Sequence, residues 1–433
     1  MERDTLHSIA DLVFQAMNFS SFKDKALDQI ELDCQRLVSQ IANTLMQDFV
    51  LPERIRDIHR NVETGQTLCQ SCHSQLRLHK RNQAIHPKTI FGSKMTILRN
   101  QYYCPKCDNY QMAADQQLGL ISRQMTPRLA LVVALCSASW PYQVASAFLS
   151  FLFGVSLSAK SCENLIKDEQ LQPKSLEADP LDNPPGVVTM DGILVRGRKS
   201  DSWLEMKVGS FFSTVVEVSR DRREVMDSSF VAAAVKDWKD FIEPVTQEAQ
   251  RRGLDMTEAV EFVADGAEGI WQLQQMVFPY ARPRLDLYHN KCKVGERTKQ
   301  AYKRNPKREQ HQQHLQGCLQ QGLVDEAISY IHKHMPKYEY KKEAAVKLIQ
   351  YLKRHKEKIP NYEQVKAEGG TRSSGLTEKA NDLIVARRMK EGVMHWTREG
   401  AEPVLKHRTA FINKHARMRT GPYELAFCQG FLQ

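Results

Sequence analysis

The chain has 433 residues, 42% of them hydrophobic and 26% charged, which is ordinary for a soluble globular protein and long enough for two or three domains with a sizeable core. Its 61 Lys+Arg against 51 Asp+Glu favour a polyanionic partner, nucleic acid before an acidic membrane surface. With Glu2, Arg3, Asp4 and Asp11 where an apolar run would be needed, no secretory leader is expected, and Ser137, Ser139, Pro141, Gln143 and Gly154 break the most apolar stretch too often for a membrane span to be expected there. A cytoplasmic, nucleoid-associated location is therefore expected, and its ten cysteines are read as thiols or metal ligands rather than disulfides.

Residues 1–60 carry apolar side chains at helical spacing (Leu27, Ile30, Leu37, Ile41, Leu45) and are predicted helical. Residues 61–112 change character: short β-prone runs, Thr89-Ile90-Phe91 and Gln101-Tyr102-Tyr103 among them, lie around two C-x-x-C pairs, Cys69/Cys72 and Cys104/Cys107. Each pair lets two thiolates leave one tight knuckle toward the same tetrahedral ion, so a four-sulfur structural zinc site in a zinc ribbon is expected. Cys34, Cys136, Cys162, Cys292, Cys318 and Cys428 lack such spacing and are read as buried thiols.

From residue 126 to about 171 the pattern is helical again. Residues 141–153, a turn at Gly154 and residues 158–167 fit a helix-turn-helix, with Ala145 or Ala147 as the small residue of its first helix. Ser158, Lys160 and Ser161 open the second helix, where groove insertion asks for polar side chains. The Pro-rich segment 179–186 then marks a domain boundary.

Residues 187–195, 203–208 and 211–218 are predicted to form an antiparallel three-strand meander, followed by a helix over 228–252 and buried strands at 259–264 and 284–288. Residues 291–358 are helical and basic, seventeen Lys/Arg to seven Asp/Glu, and suit a surface that tracks phosphates, with Arg304, Lys307, Arg308, Lys353 and Arg354 as candidate contacts. The last long helix is expected from Ser373 or Ser374 to Gly392, where glycine suits a C-terminal cap.

Asp191 and Asp265 each follow an apolar run and precede a glycine. Two adjacent strands delivering carboxylates at one level can hold divalent ions between them, as phosphoryl transfer by two metals requires. Glu378, in the first turn of the last long helix, suits a third ligand. Singly these signals are common turn and helix-start residues; their order along the chain gives them weight.

That ordered set resembles the ISKra-type bacterial insertion-sequence transposases. The likeness rests on Val188-Thr-Met-Asp191-Gly, Trp203-Leu-Glu-Met-Lys-Val-Gly209, Phe262-Val-Ala-Asp265-Gly, Asp286-Leu-Tyr-His289 and Gly375-Leu-Thr-Glu378, and it spans roughly residues 69–408. It implies an α/β ribonuclease-H-like catalytic core with an all-α insertion, preceded by a zinc ribbon and a helical DNA-binding region. It carries the catalytic and magnesium- or manganese-binding roles onto Asp191, Asp265 and Glu378. Asp286 and His289 match a D-x-x-H pattern of the related Mutator-like transposases, with an implied role in positioning DNA or supporting the metal site.

The expected organisation is a helical region (1–60), the ribbon (61–112), a helix-turn-helix-like module (113–178), a core (186–290 and 366–410) interrupted by the basic insertion (291–365), and a tail (411–433). The expected activity is metal-dependent cleavage of transposon ends and transfer of the exposed 3′-hydroxyl to target DNA. Expected partners are double-stranded DNA and further copies of the chain, with no membrane. A non-catalytic zinc-bearing DNA binder descended from a transposase and a structure-specific nuclease of the same fold are the alternatives.

Overall fold

The computed structural model describes residues 25–120, 125–168, 186–198, 203–219, 222–254, 256, 260–392 and 394–418, with residues 11 and 14 besides. The expected boundary segment before Gly186, most of the first 24 residues, Cys428 and the end of the expected tail lie outside them. Two compact units meet in sequence at residues 172/173.

In the first unit, α1 (Leu27–Thr44) runs through a π-turn, Leu45–Val50, into α2 (Leu51–Glu63). Ile55, Ile58 and Val62 lie on one face of α2 by their spacing, and each contributes about 1.5–3 kcal/mol on burial. They cover an antiparallel sheet of β1 (Arg77–Ile85), β2 (Ile97–Cys104) and β3 (Asn109–Gln111). Thr89-Ile90-Phe91 is a turn between β1 and β2 rather than a strand, closed by Thr89 N–H donating to Ser93 O. A short helix, α3 (Ala113–Gln117), closes the core with Ala113 and Ala114.

Three further helices, α4 (Pro127–Ser139), α5 (Tyr142–Phe153) and α6 (Ala159–Ile166), pack around Leu129, Val133, Ala145, Leu149, Cys162 and Leu165. Gly154 ends α5 at φ 63°, a left-handed conformation that a side chain resists. Ser158 caps α6 by accepting the Ser161 N–H at 3.0 Å. The expected helix–turn–helix outline is thus present.

The second unit is built on a five-stranded sheet. β4 (Val187–Arg196), β5 (Trp203–Phe212) and β8 (Ser229–Ala233) form the antiparallel meander, while β9 (Glu261–Ala264) and β10 (Arg282–Leu285) add in parallel beside β4, giving the order β10-β9-β4-β5-β8. The third meander strand differs from expectation. The chain bends at Ser213, and β6 (Thr214–Ser219) pairs only with β7 (Arg222–Met226) as a separate ribbon. Ser229–Ala233, expected within a helix over 228–252, pairs with Lys207–Phe211 instead, because sheet pairing and burial override local propensity. The expected strand 284–288 is earlier and shorter, since Asp286 caps the helix that begins at Leu287.

By the alternation of strand side chains, Val188, Met190 and Phe262 turn to one face of the sheet. There they join α7 (Ile242–Arg251), α8 (Glu268–Val277) and the helices of the insertion: α9 (Leu287–Ala301), α10 (Arg308–Gln320), α11 (Val324–Lys333), α12 (Glu339–His355) and α13 (Tyr362–Ala367). Val294, Leu315, Leu348 and Leu352 belong to the same buried cluster as the strands. The insertion is therefore one wall of the core, and its first helix starts before residue 291.

The opposite face is covered by α14 (Gly375–Ala380), which continues through a second π-turn, Asn381–Ala386, to Met389. It is not the last long helix: α15 (Arg398–Met418) follows, reaching into the expected tail. Asn413 bridges the Phe230 N–H and C=O, and Glu402 accepts the Ala234 N–H, so α15 fastens the outer strand β8.

Candidate metal centre and candidate active site

Two ligand sets stand out, one in each unit. In the first, Cys72 and Cys104 hold their sulfurs 3.5 Å apart and Cys69 and Cys107 hold theirs 4.0 Å apart. All four lie within 4.8 Å of one another. A tetrahedral ion with bonds of about 2.3 Å to sulfur requires edges of about 3.8 Å, so the four cysteines could hold one zinc.

The knuckles make this geometry locally. His73 and Asp108, each directly after the second cysteine of its pair, turn the chain at φ 55° and 51°. Cys69 N–H donates to Ser74 O, and Gln111 Nε2 donates to Cys69 Sγ at 3.0 Å. The sulfurs do not share negative charge unaided: the Ser74 hydrogen bond helps pull Cys72 down to about 6, whereas the Cys72 sulfur beside it pushes Cys107 up to about 12. Four thiolates at this spacing call for a cation.

Of the other cysteines, Cys136, Cys162 and Cys318 are buried as expected. Cys34 and Cys292 are exposed on outward faces of α1 and α9, which corrects the buried-thiol reading for both.

In the second unit, the parallel register of β4 and β9 pairs Met190 with Ala264, and the next residues along are Asp191 and Asp265. Asp191 lies inside β4 rather than at its end. Its Gly192 opposes Lys207 on β5, so the Asp-Gly pair is no turn here. Asp265 does end its strand, and its Oδ1 accepts the Ala267 N–H at 2.8 Å.

Helix α14 is keyed to the sheet by Thr377, which bonds Thr189 and donates to Ser210 Oγ at 2.9 Å. That contact brings Glu378 to the same edge. Its Oε1 meets His289 Nε2 at 3.2 Å, and Asn381, one helical turn on, donates from Nδ2 to Asp191 Oδ2 at 2.8 Å. Burial, with Asp265 and Glu378 adding negative charge, pushes Asp191 up to about 6 despite the Gly192 N–H and the nearby His289.

Asp286 is fully buried and acts within the fold. Its Oδ1 accepts the His289 backbone N–H at 2.7 Å, capping α9, and its Oδ2 accepts from Ser374 N–H and Oγ, fixing the start of α14. Asp286 thereby sets the places of both His289 and Glu378 without touching either side chain through its own hydrogen bonds. Asp382 faces away, exposed and paired with Lys379 and Arg387. Glu261 is held by Arg284 and the Thr371 N–H.

Sequence reasoning missed three neighbours of the carboxylates. Asn381 opens the π-turn, a local irregularity frequent at functional sites, and its Oδ1 is buried without a partner. Tyr351 and His355 of α12 press on Gly266 so closely that a Cβ there would meet them at 3.3 and 3.4 Å. Only the proximity of α12 to the Asp-Gly pair, invisible in sequence, reveals them.

Among the described residues, only the four cysteines bring three or more ligand atoms within 4.8 Å of one another. Asp191, Asp265 and Glu378 share one edge of the sheet but stand more openly. As hard oxygen donors, the three carboxylates fit a divalent cation such as magnesium or manganese better than a soft metal.

The expected phosphate contacts are scattered. Lys160 on α6 is exposed but paired with Glu163 at 3.0 Å. Arg304 turns at φ 63° in the link before α10, where Lys307 is exposed and Arg308 pairs with Glu309 at 3.5 Å. Lys353 and Arg354 are exposed in the last turn of α12. The start of that helix touches residue 303 through Lys341, so the two groups sit at opposite ends of α12, roughly 18 Å apart along its axis. No helix among the described residues is long and apolar enough to cross a membrane.

A scan against protein-family models and a search of curated proteins both gave no match.

Proposed function

We propose that the chain is a DDE-type transposase, cutting DNA ends and joining them to target DNA at Asp191, Asp265 and Glu378 on a ribonuclease-H-like core. The observation that carries this reading is the in-register pairing of β4 with β9, which sets Asp191 beside Asp265 while α14 brings Glu378 across the same edge. A three-strand meander with two parallel strands added beside its first strand is the sheet this core requires, and it supports the fold assignment.

Magnesium, or manganese in its place, held by the three carboxylates would activate the attacking oxygen and stabilise the leaving one. The chain's own residues prepare that site. Asn381 fixes the rotation of the Asp191 carboxylate, Asp286 sets the start of both helices, and His289 steadies Glu378 through Nε2. Cleavage and joining are both in-line displacements at phosphorus, so no covalent protein intermediate is needed.

Structural zinc on the four cysteines would stabilise the first unit, whose α5–α6 pair suits end recognition. The basic helices of the second unit supply phosphate contacts. Two ends must be brought together, which favours a homo-oligomer on DNA.

The test is incubation of the purified protein with magnesium, a duplex carrying the sequences that flank its gene, and a target plasmid. Free 3′-hydroxyl ends and joined products are expected, and both should vanish in Asp191→Asn and Asp265→Asn. Cleavage without joining would indicate a structure-specific nuclease, and binding without cleavage a non-catalytic DNA protein; either overturns the reading.

A further inference from the structure

The outward side of the three-stranded ribbon is built unlike a merely solvated surface. Tyr102 and Cys104 turn inward against Ile58 and Val62, so Tyr103 between them turns outward. The strand registers pair Arg77 with Tyr103 and Tyr103 with Tyr110, making one row of side chains across all three strands. His79 joins it, with its ring 4.6 Å from that of Tyr110, and Tyr103 lies 5.2 Å from Tyr110.

Tyr110 is 50% exposed, and every residue from Arg77 to Asn82 is exposed. Tyr103 is pinned by donating its hydroxyl to Asp108 Oδ1 at 2.9 Å, which engages the nearest acid. Among the described residues, Arg77, Lys80 and Arg81 of this edge, and Lys106 on the second knuckle, form no ion pair.

From this we infer that the open face of the ribbon binds unpaired DNA, stacking a base on Tyr110 and holding the flanking phosphates with Arg77, Lys80 and Arg81. Within a duplex the faces of the bases are hidden in the stack, so exposed rings on a sheet gain most from an unpaired strand. The positive edge is complementary to the backbone of that strand, and the carboxylate beside it, Asp108, is held by the Tyr103 hydroxyl. The inference deepens the proposed function by naming a DNA form for the first unit, and it takes from that reading only the choice of DNA over RNA.

The experiment measures binding of the full chain to a fluorescent single-stranded oligothymidine and to a duplex of equal length, across a salt series. Wild type should bind the single strand, and Tyr110→Ala should weaken that binding about tenfold while leaving duplex binding within twofold. The double change Lys80→Glu with Arg81→Glu should weaken it further and flatten its salt dependence. Zinc content at the wild-type value confirms that each variant keeps its knuckles. Undiminished single-strand binding by Tyr110→Ala, an equal loss on duplex and single strand, or no single-strand binding by wild type overturns the inference. Strand joining by a chain that ignores single strands would leave the transposase reading standing and remove this one. Single-strand binding through Tyr110 without any cleavage would do the reverse.

Discussion

The cysteine cluster and the carboxylate edge each gather like side chains, but by opposite means. The sulfurs come from two tight turns within one small sheet, and their spacing is already that of a coordinated ion. The carboxylates come from two strands and a helix far apart in sequence, and they meet through strand register and the Thr377 contact. The first set is closed and built for holding. The second is more open, as the proposed catalytic ion would require in order to accept oxygens from a substrate as well.

The largest effect that tests this contrast is on chemistry. Asp191→Asn, Asp265→Asn and Glu378→Gln should each fold, bind DNA, and lose cleavage and joining by about a thousandfold or more, with paired changes little worse than single ones. Active variants, measured by product gels, would break the comparison at its open end. At its closed end, Cys104→Ser should release zinc and expose residues 61–112 to protease while the second unit stays protected. About one zinc per chain by metal analysis of the wild type is the matching expectation; its absence would void the closed-site description.

A subtler expectation concerns charge. An acid whose folded pKa lies near 6 against an ordinary 3.8 binds more protons folded than unfolded between those values. Its contribution to stability therefore falls as pH rises through that window, and the cost is fully present above about pH 6. Without added magnesium at pH 7.5, Asp191→Asn should melt higher than wild type by a few degrees, and added magnesium should raise the wild type toward it. A variant that melts lower would show that the Asp191 hydrogen bonds outweigh the cost of burying its charge beside Asp265 and Glu378. Asn381→Ala should reduce turnover about tenfold by freeing the Asp191 carboxylate, with KM for DNA little changed. Smallest of all, Asp382→Asn, which removes an exposed pair, should shift stability by less than about 0.5 kcal/mol and leave activity intact.

The sequence was most readable where structure is local. Two C-x-x-C knuckles and the turn at Gly154 each carry their own geometry, and each appears in its expected place; Ser158, read as a polar residue opening its helix, proves to be its cap. Reading was poorer where the partner decides. Ser229–Ala233 looks helical in isolation and becomes a strand only because Lys207–Phe211 lies beside it. Asp191-Gly192 has the composition of a turn, yet the long hairpin with β5 carries it straight through. Asn381 could not be singled out, because its reach to Asp191 depends on how Thr377 docks α14 on the sheet.

The insertion has a consequence for how the protein comes into being. Its helices stand between β10 and Glu378 in the chain, and they share their interior with the strands. A nascent chain that has paired β4 with β9 already displays two carboxylates, but Glu378 can close on them only after more than a hundred further residues have left the ribosome and packed. The order of synthesis thus acts as a delay: a half-made molecule sets Asp191 beside Asp265 before it can add Glu378.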